Sequence, residues 1–242
     1  MANSYFKFKQ FTIQQDHSAM KVTTDSCLFG AWVAQEVSSK REQVKNMLDI
    51  GIGTGLLTLM IAQKNPHLII DGIEIDNNAY IEAKENISEA GFKSEIRISN
   101  GDIYQDISGN KYDAIVCNPP FYQNELKSAN SLKNLAHHDN GLLLEDLLPI
   151  IKARLTSNGR FYLLLPFKRK NEIESLFRKN LLYSTKKISV RQSVKHDHFR
   201  LLIEGKMHED LPVKEHEISI CNESADYTPE FIDLLRDYYL YL

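Results

Sequence analysis

Cysteine is scarce in this 242-residue chain. Its three cysteines, Cys27, Cys117 and Cys221, show no C-x-x-C spacing. That argues against a disulfide framework or a cysteine-rich zinc site and fits a reducing cytosol. Long apolar runs are missing too. No stretch approaches a membrane span, and the opening MANSYFKFKQF lacks the apolar core of a signal peptide. No internal repeat, low-complexity tract or Gly/Ser linker marks a domain boundary. A net charge of −3 gives no global reason to suspect nucleic acid. What remains is ordinary globular composition, 43% apolar and 25% charged, at a length suited to one large domain. The expectation is a soluble, cytoplasmic, monomeric protein with no membrane segment and no metal.

After the first 45 residues, short apolar runs alternate with longer amphipathic ones. Strands are expected at 46–50, 68–75, 95–100, 112–118 and 159–166, with helices at 55–63, 77–91 and 142–159. Pro149 should kink the last of these or start a second helix. Strands separated by helices of this length predict βαβ units, hence an α/β, doubly wound, mostly parallel sheet. After a helix near 168–180, the runs 182–190 and 198–206 follow without a helix-length gap and predict an antiparallel hairpin at the sheet edge. Thr228-Pro229-Glu230 opens a terminal helix.

LDIGIGTGLLTL (48–59) sets Gly51, Gly53 and Gly55 between a strand and a helix. Glycines there permit a tight turn and a close approach of backbone to a ligand at the helix N-terminus. Glu74, at the end of the next strand, is the acidic residue a ribose would need. A dinucleotide oxidoreductase would show G-x-G-x-x-G, and Leu56 stands where that pattern has glycine.

AIVCNPPFYQN (114–124) leaves a buried strand through Asn118, Pro119, Pro120 and Phe121. A Pro-Pro pair can simply terminate a strand. The four residues also suit methyl transfer to a planar nitrogen. The Asn118 side-chain oxygen and the Pro119 carbonyl can draw amine hydrogens out of plane and so expose the lone pair. The prolines remove competing donors and stiffen the loop, and Phe121 can stack on a base. Downstream, residues 166–206 hold 11 Lys/Arg against 4 Asp/Glu, and residues 207–242 reverse to 2 against 9. Lys168, Arg169, Lys170, Arg191, Lys195 and Arg200 are the candidate phosphate contacts.

The D-x-G-x-G-x-G turn, with Asp49 at its head, resembles that of S-adenosylmethionine-dependent methyltransferases with a Rossmann-like sheet, for which seven strands are expected. That resemblance implies a cofactor site of Asp49, Gly51, Gly53 and Gly55, with Glu74 on the ribose hydroxyls, Asp102 on the adenine amine, Ile75 and Ile103 flanking the ring, and Asn118 beside the cofactor's methyl group. NPPF resembles the motif of enzymes that methylate adenine N6, guanine N2 or glutamine nitrogen.

FKFKQFTIQQDHSAMKVTTDSCLFGAW (6–32), taken with NPPF, resembles the tRNA(adenine-N6)-methyltransferases acting on the adenosine 3′ of the anticodon in a valine tRNA. The resemblance implies S-adenosylmethionine as cofactor, tRNA as substrate, and a lid over the cofactor that includes Lys21, Thr24 and Asp25. Residues 1–45 would be cap and lid, 46–166 the cofactor-binding core, and 167–242 the sheet edge and terminal helix. Thr23 and Ser26 replace glycines common in that family, and His137 replaces an arginine, with His138 at the family's histidine position. A protein-glutamine methyltransferase, a ribosomal-RNA guanine-N2 methyltransferase and a non-catalytic binding protein are the alternatives. The first usually carries an N-terminal helical domain for which 45 residues leave no room.

Overall fold

The computed structural model describes residues 3–18, 20–106, 108–120 and 142–242. Phe121, His137 and His138 lie outside the described residues. A hairpin comes first, β1 (Tyr5–Lys7) and β2 (Thr12–Gln14), followed by helix α1 (Thr24–Ser39). Then follow β3 (Asn46–Ile50), α2 (Leu56–Lys64), β4 (Ile69–Glu74), α3 (Asn77–Ala90), β5 (Glu95–Asn100) and β6 (Tyr112–Cys117). Beyond the undescribed stretch come α4 (Leu144–Arg154), β7 (Leu155–Pro166), α5 (Lys170–Lys179), β8 (Tyr183–Ser193), β9 (His198–Lys206), β10 (Lys214–Cys221) and α6 (Pro229–Leu235).

The large sheet has the order β10-β8-β9-β7-β6-β3-β4-β5. Every neighbouring pair is parallel except β7–β9 and β8–β9, so β9 alone runs against the rest. The α/β, mostly parallel architecture is the expected one. The strand count is eight rather than seven, and the antiparallel pair sits one place in from the edge because β10 pairs with β8 outside it. The first half of β10, Lys214–Glu217, is fully exposed and rich in charge, so it shows none of the apolar alternation by which a strand is recognised.

Local chemistry explains most boundaries. The Asp76 carboxylate accepts the Ala79 N–H at 2.8 Å to cap α3, and Gly91, at φ 60°, ends it in the left-handed region. A single helix runs through Pro149 and stops at Arg154, short of the expected 159. Tyr112 faces Leu155 while Ala114 faces Arg160, so the Asn158-Gly159 stretch bulges within β7. Helix α1 is not among the expected elements, where its residues figure only as cap and lid. Residues 25–34 are all buried, so no polar face gives the helix a period. Thr23 and Ser26, where the resembled family has glycine, form its capping box: each side chain bonds the other residue's backbone N–H.

Two apolar layers lie on either face of the sheet. Met47, Ala114, Val116 and Tyr162 point to the layer built with α1 and α2, while Leu48, Ile115, Phe161 and Leu163 point to α4 and α5. Gly30 lets α1 close on α2, since a Cβ there would stand 2.7 Å from the Met60 sulfur. At the far end of α1, Glu204 on β9 is 3% exposed and gathers Lys40 (3.1 Å), Arg160 (2.9 Å), and the hydroxyls of Tyr162 (3.2 Å) and Thr185 (2.7 Å). The FKFKQF motif serves as a clasp. Phe6 and Phe8 pack against Tyr239, and the Lys9 N–H donates to the Tyr238 carbonyl at 2.8 Å.

Candidate active site

In a parallel sheet, ligands sit beyond the carboxyl ends of the strands, and here those ends gather the expected residues. Gly51, Gly53 and Gly55 have φ of 71°, 55° and 85°, a region that side-chain-bearing residues avoid. The turn hangs on β4: the N–H groups of Gly51 and Ile52 donate to the Ile73 carbonyl at 2.9 and 3.1 Å, and that of Gly53 to Glu74 Oε2 at 2.8 Å. Glu74 Oε1 takes the Asp76 N–H at 2.9 Å. Glu74 is therefore 8% exposed and fixed beside the turn. A Cβ on Gly51 would meet nothing within 4 Å, so the outer side of the turn is open. One strand over, Asp102 Oδ1 caps the 3-10 turn Ile103–Gln105 by accepting the Tyr104 N–H at 2.9 Å. Ile75 is 60% exposed at the rim, and Ile103 is buried.

Asp49 is placed differently. It is 1% exposed and points toward α2, where Oδ2 accepts the Thr58 hydroxyl at 2.7 Å and Oδ1 has no hydrogen-bond partner among the described residues. Burial pushes its carboxyl up to about 7, the Thr58 hydroxyl lowers it, and nearby Glu74 adds to the rise. It supports the turn from beneath. Because the folded value lies above the unfolded 3.8, the native state keeps a proton that the unfolded chain has lost, and stability falls as pH rises from about 4 to 7. Asp49→Asn should therefore gain stability relative to wild type across that window and hold a constant advantage above it. Urea unfolding at pH 5, 6, 7 and 8 checks this.

Strand β6 delivers Asn118, Pro119 and Pro120 to the same edge. Asn118 Oδ1 is buried and finds no hydrogen-bond partner among the described residues, although an unpaired buried acceptor costs about 1–3 kcal/mol. Pro119 and Pro120 line a small pocket with Leu142, Leu144, Leu165 and Arg169. A wider groove of about 300 Å³, between Lys9, Gln63, Lys64 and Arg236, lies where α2 ends and holds none of these groups.

The N-terminal segment is strapped over α3 by groups that sequence spacing does not reveal. Glu82 accepts the N–H groups of His17 and Ser18, each at 3.0 Å, and the Ser18 hydroxyl. Burial raises its pKa, but these donors outweigh burial and leave it below the usual carboxylate range. Asn86 exchanges two bonds with Gln14 and donates to the Thr54 carbonyl at 2.9 Å, joining β2 to the glycine turn. Lys21 bends back to the Gln15 and Asp16 carbonyls. Asp25 Oδ2 accepts from Arg200 Nε at 2.6 Å.

The six candidate phosphate contacts also reach the carboxyl edge, since Arg200 on β9 faces Pro166 at the end of β7. Most are already engaged. Arg169 makes two bonds to Glu172 at 2.8 and 2.6 Å. Lys170 stands 5.9 Å over the Phe167 ring, and Arg191 donates to the Ser219 hydroxyl at 2.7 Å. Lys195 reaches the Glu223 carbonyl at 3.2 Å yet stays exposed, as does Lys168. Among the described residues no His/Cys/Asp/Glu cluster could hold a metal, and no helix is long and apolar enough to cross a membrane.

Residues 31–177 match the family model of the methyltransferase small domain. A relative from Trichodesmium erythraeum is 37% identical over 244 residues, covering 99% of both chains, and one from Dyadobacter fermentans is 36% identical over 241 residues, covering 98% of both. Both are named tRNA1(Val) (adenine(37)-N6)-methyltransferase. Among solved structures, a predicted O-methyltransferase from Agrobacterium tumefaciens superposes with a TM-score of 0.68 at 15% identity, covering 88% of this chain and 96% of its own. At that identity the likeness speaks for the fold.

Proposed function

The chain belongs to the methyltransferase small domain family and, within it, to the tRNA1(Val) (adenine(37)-N6)-methyltransferases, and from that premise we propose how its own residues methylate adenosine N6 in a tRNA anticodon loop. The observation that carries the reading is Asn118 Oδ1, a buried acceptor without a described partner, on the sheet edge that holds the glycine turn and Glu74.

S-adenosylmethionine, when bound, supplies a methyl group made electrophilic by its sulfonium. The site suits it: an open left-handed turn at a helix N-terminus, a fixed carboxylate beside it for the ribose, and apolar Ile75 at the rim. Gly51, Gly53, Gly55, Glu74, Ile75, Asp102 and Ile103 would hold it, with Asp49 bracing the turn and Lys21, Thr24 and Asp25 belonging to the overlying segment. Asn118 Oδ1 and the Pro119 carbonyl accept the two N6 hydrogens and turn the nitrogen lone pair out of the purine plane. A proline has no N–H to compete for these acceptors. The methylated nitrogen is acidic and releases its proton to water, so no base has to act first. An anticodon-loop adenosine is not locked in a duplex, which makes its extrusion cheap.

The protein is read as one methyltransferase domain, cytoplasmic and monomeric, working without a metal. The deciding experiment incubates it with radiolabelled S-adenosylmethionine and either total bacterial tRNA or a release-factor protein. N6-methyladenosine in valine tRNA at position 37 is the expected product. Label confined to the protein substrate would overturn the assignment. Of the basic residues, exposed Lys168 is the best placed for a backbone phosphate. Lys168→Ala should weaken tRNA binding several-fold and lower the slope of log K against log salt by about 1, in filter binding between 50 and 200 mM salt.

A further inference from the structure

Arg200 stands in the basic segment, but the structure places its guanidinium against Asp25, in the first turn of α1, with Nε 2.6 Å from Oδ2. The side chains are 26% and 12% exposed, so the pair is largely withdrawn from water. The same turn is also held by the Thr23–Ser26 capping box.

What that turn faces follows from helix geometry. Helix α1 starts at Arg200 on the carboxyl edge, and Lys40, just past its end, meets Glu204 toward the amino edge. It therefore runs in the same sense as α2. Gly30 lies against Leu57 and Met60. Asp25 is five residues earlier, about 7.5 Å up the axis, which sets it level with the glycine turn ahead of Leu56. The first turn of α1 therefore stands at the height of the glycine turn, on the face of the sheet that α1 and α2 share.

We infer that Arg200 is a positioning residue for S-adenosylmethionine, holding the α1 wall beside the glycine turn through Asp25, rather than a tRNA phosphate ligand. This deepens the reading above and rests on it. Removing the guanidinium frees the wall, so cofactor affinity falls, while a backbone-phosphate contact would show itself in tRNA affinity instead.

The test titrates wild type, Arg200→Gln, Arg200→Lys and Asp25→Asn with S-adenosylhomocysteine by calorimetry, without RNA. The salt dependence of tRNA binding is measured alongside. Arg200→Gln should raise the Kd of S-adenosylhomocysteine about tenfold and leave the tRNA salt slope unchanged. Asp25→Asn should match it, and the double variant should be no worse than either single one, because both remove the same contact. Arg200→Lys, which keeps a cation within reach of Asp25, should fall between, and this guards against mere misfolding. Wild-type cofactor affinity in Arg200→Gln, or a salt slope reduced by about 1, would overturn the inference alone. A wild-type protein that binds no S-adenosylhomocysteine would overturn the methyltransferase reading together with it.

Discussion

Asn118→Ala should reduce kcat for adenosine methylation by about 10²–10³-fold, the usual cost of losing one preorganised polar group aimed at the reacting centre. Cofactor affinity should barely change, because the glycine turn and Glu74 are held by β4 and not by β6. The protein should not lose stability either. Asn118 Oδ1 makes no hydrogen bond among the described residues, and removing a buried unpaired acceptor relieves a penalty. Loss of activity with unchanged or raised stability is the signature of a group kept for chemistry. Asn118→Asp retains an acceptor of the same shape and should keep far more activity than the alanine variant. Single-turnover rates with saturating tRNA, together with urea midpoints, decide the matter. An alanine variant with wild-type kcat would remove Asn118 from the mechanism.

Glu204→Ala should destabilise the fold by about 3–5 kcal/mol, the range for breaking a buried ion pair and leaving its partner uncompensated. Arg160 and Lys40 would lose their shared carboxylate, and the Tyr162 and Thr185 hydroxyls their acceptor. Burial raises the Glu204 pKa, but Lys40, Thr185 and Arg160 together outweigh it and hold the group below its usual 4.5. A depressed folded value means that this stabilisation is present above about pH 4.5 and fades as pH falls through the folded value. The gap between wild type and variant should therefore be full at pH 7 and shrink in stronger acid. Equal urea midpoints at pH 7 would show that the cluster contributes nothing net. The active-site edge lies at the other end of α1, so kcat per folded molecule should be close to wild type.

Strands β3, β5 and β9 match the residues read from the sequence at both ends, since turn residues and apolar alternation bound them sharply. Strand β10 and helix α1 did not announce themselves, for opposite reasons. The first is too exposed and charged to show a buried face, and the second is buried all round through residue 34. The places of the glycine turn, Glu74 and Asn-Pro-Pro at the carboxyl edge were legible because each is local, a strand end and a turn packed into a few residues. The groups that brace them were not. Asn86 on the turn and Arg200 on Asp25 are contacts between distant segments, and spacing along one chain carries no trace of them. Charge counting picked out residues at the carboxyl edge of the sheet but could not tell that Arg169, Arg191 and Arg200 already have partners there.

The clasp between the FKFKQF hairpin and Tyr238-Tyr239 sets an order of events during synthesis. Helix α1 emerges among the first of the described elements, buried from residue 25 to residue 34, and its companions come from α2, from Tyr162 on β7 and finally from α6. Until those segments have been translated, the helix has no surface to bury against and is a natural client for chaperones. An enzyme that services the decoding machinery would thus bury its first helix only after the ribosome has read nearly all of the described chain.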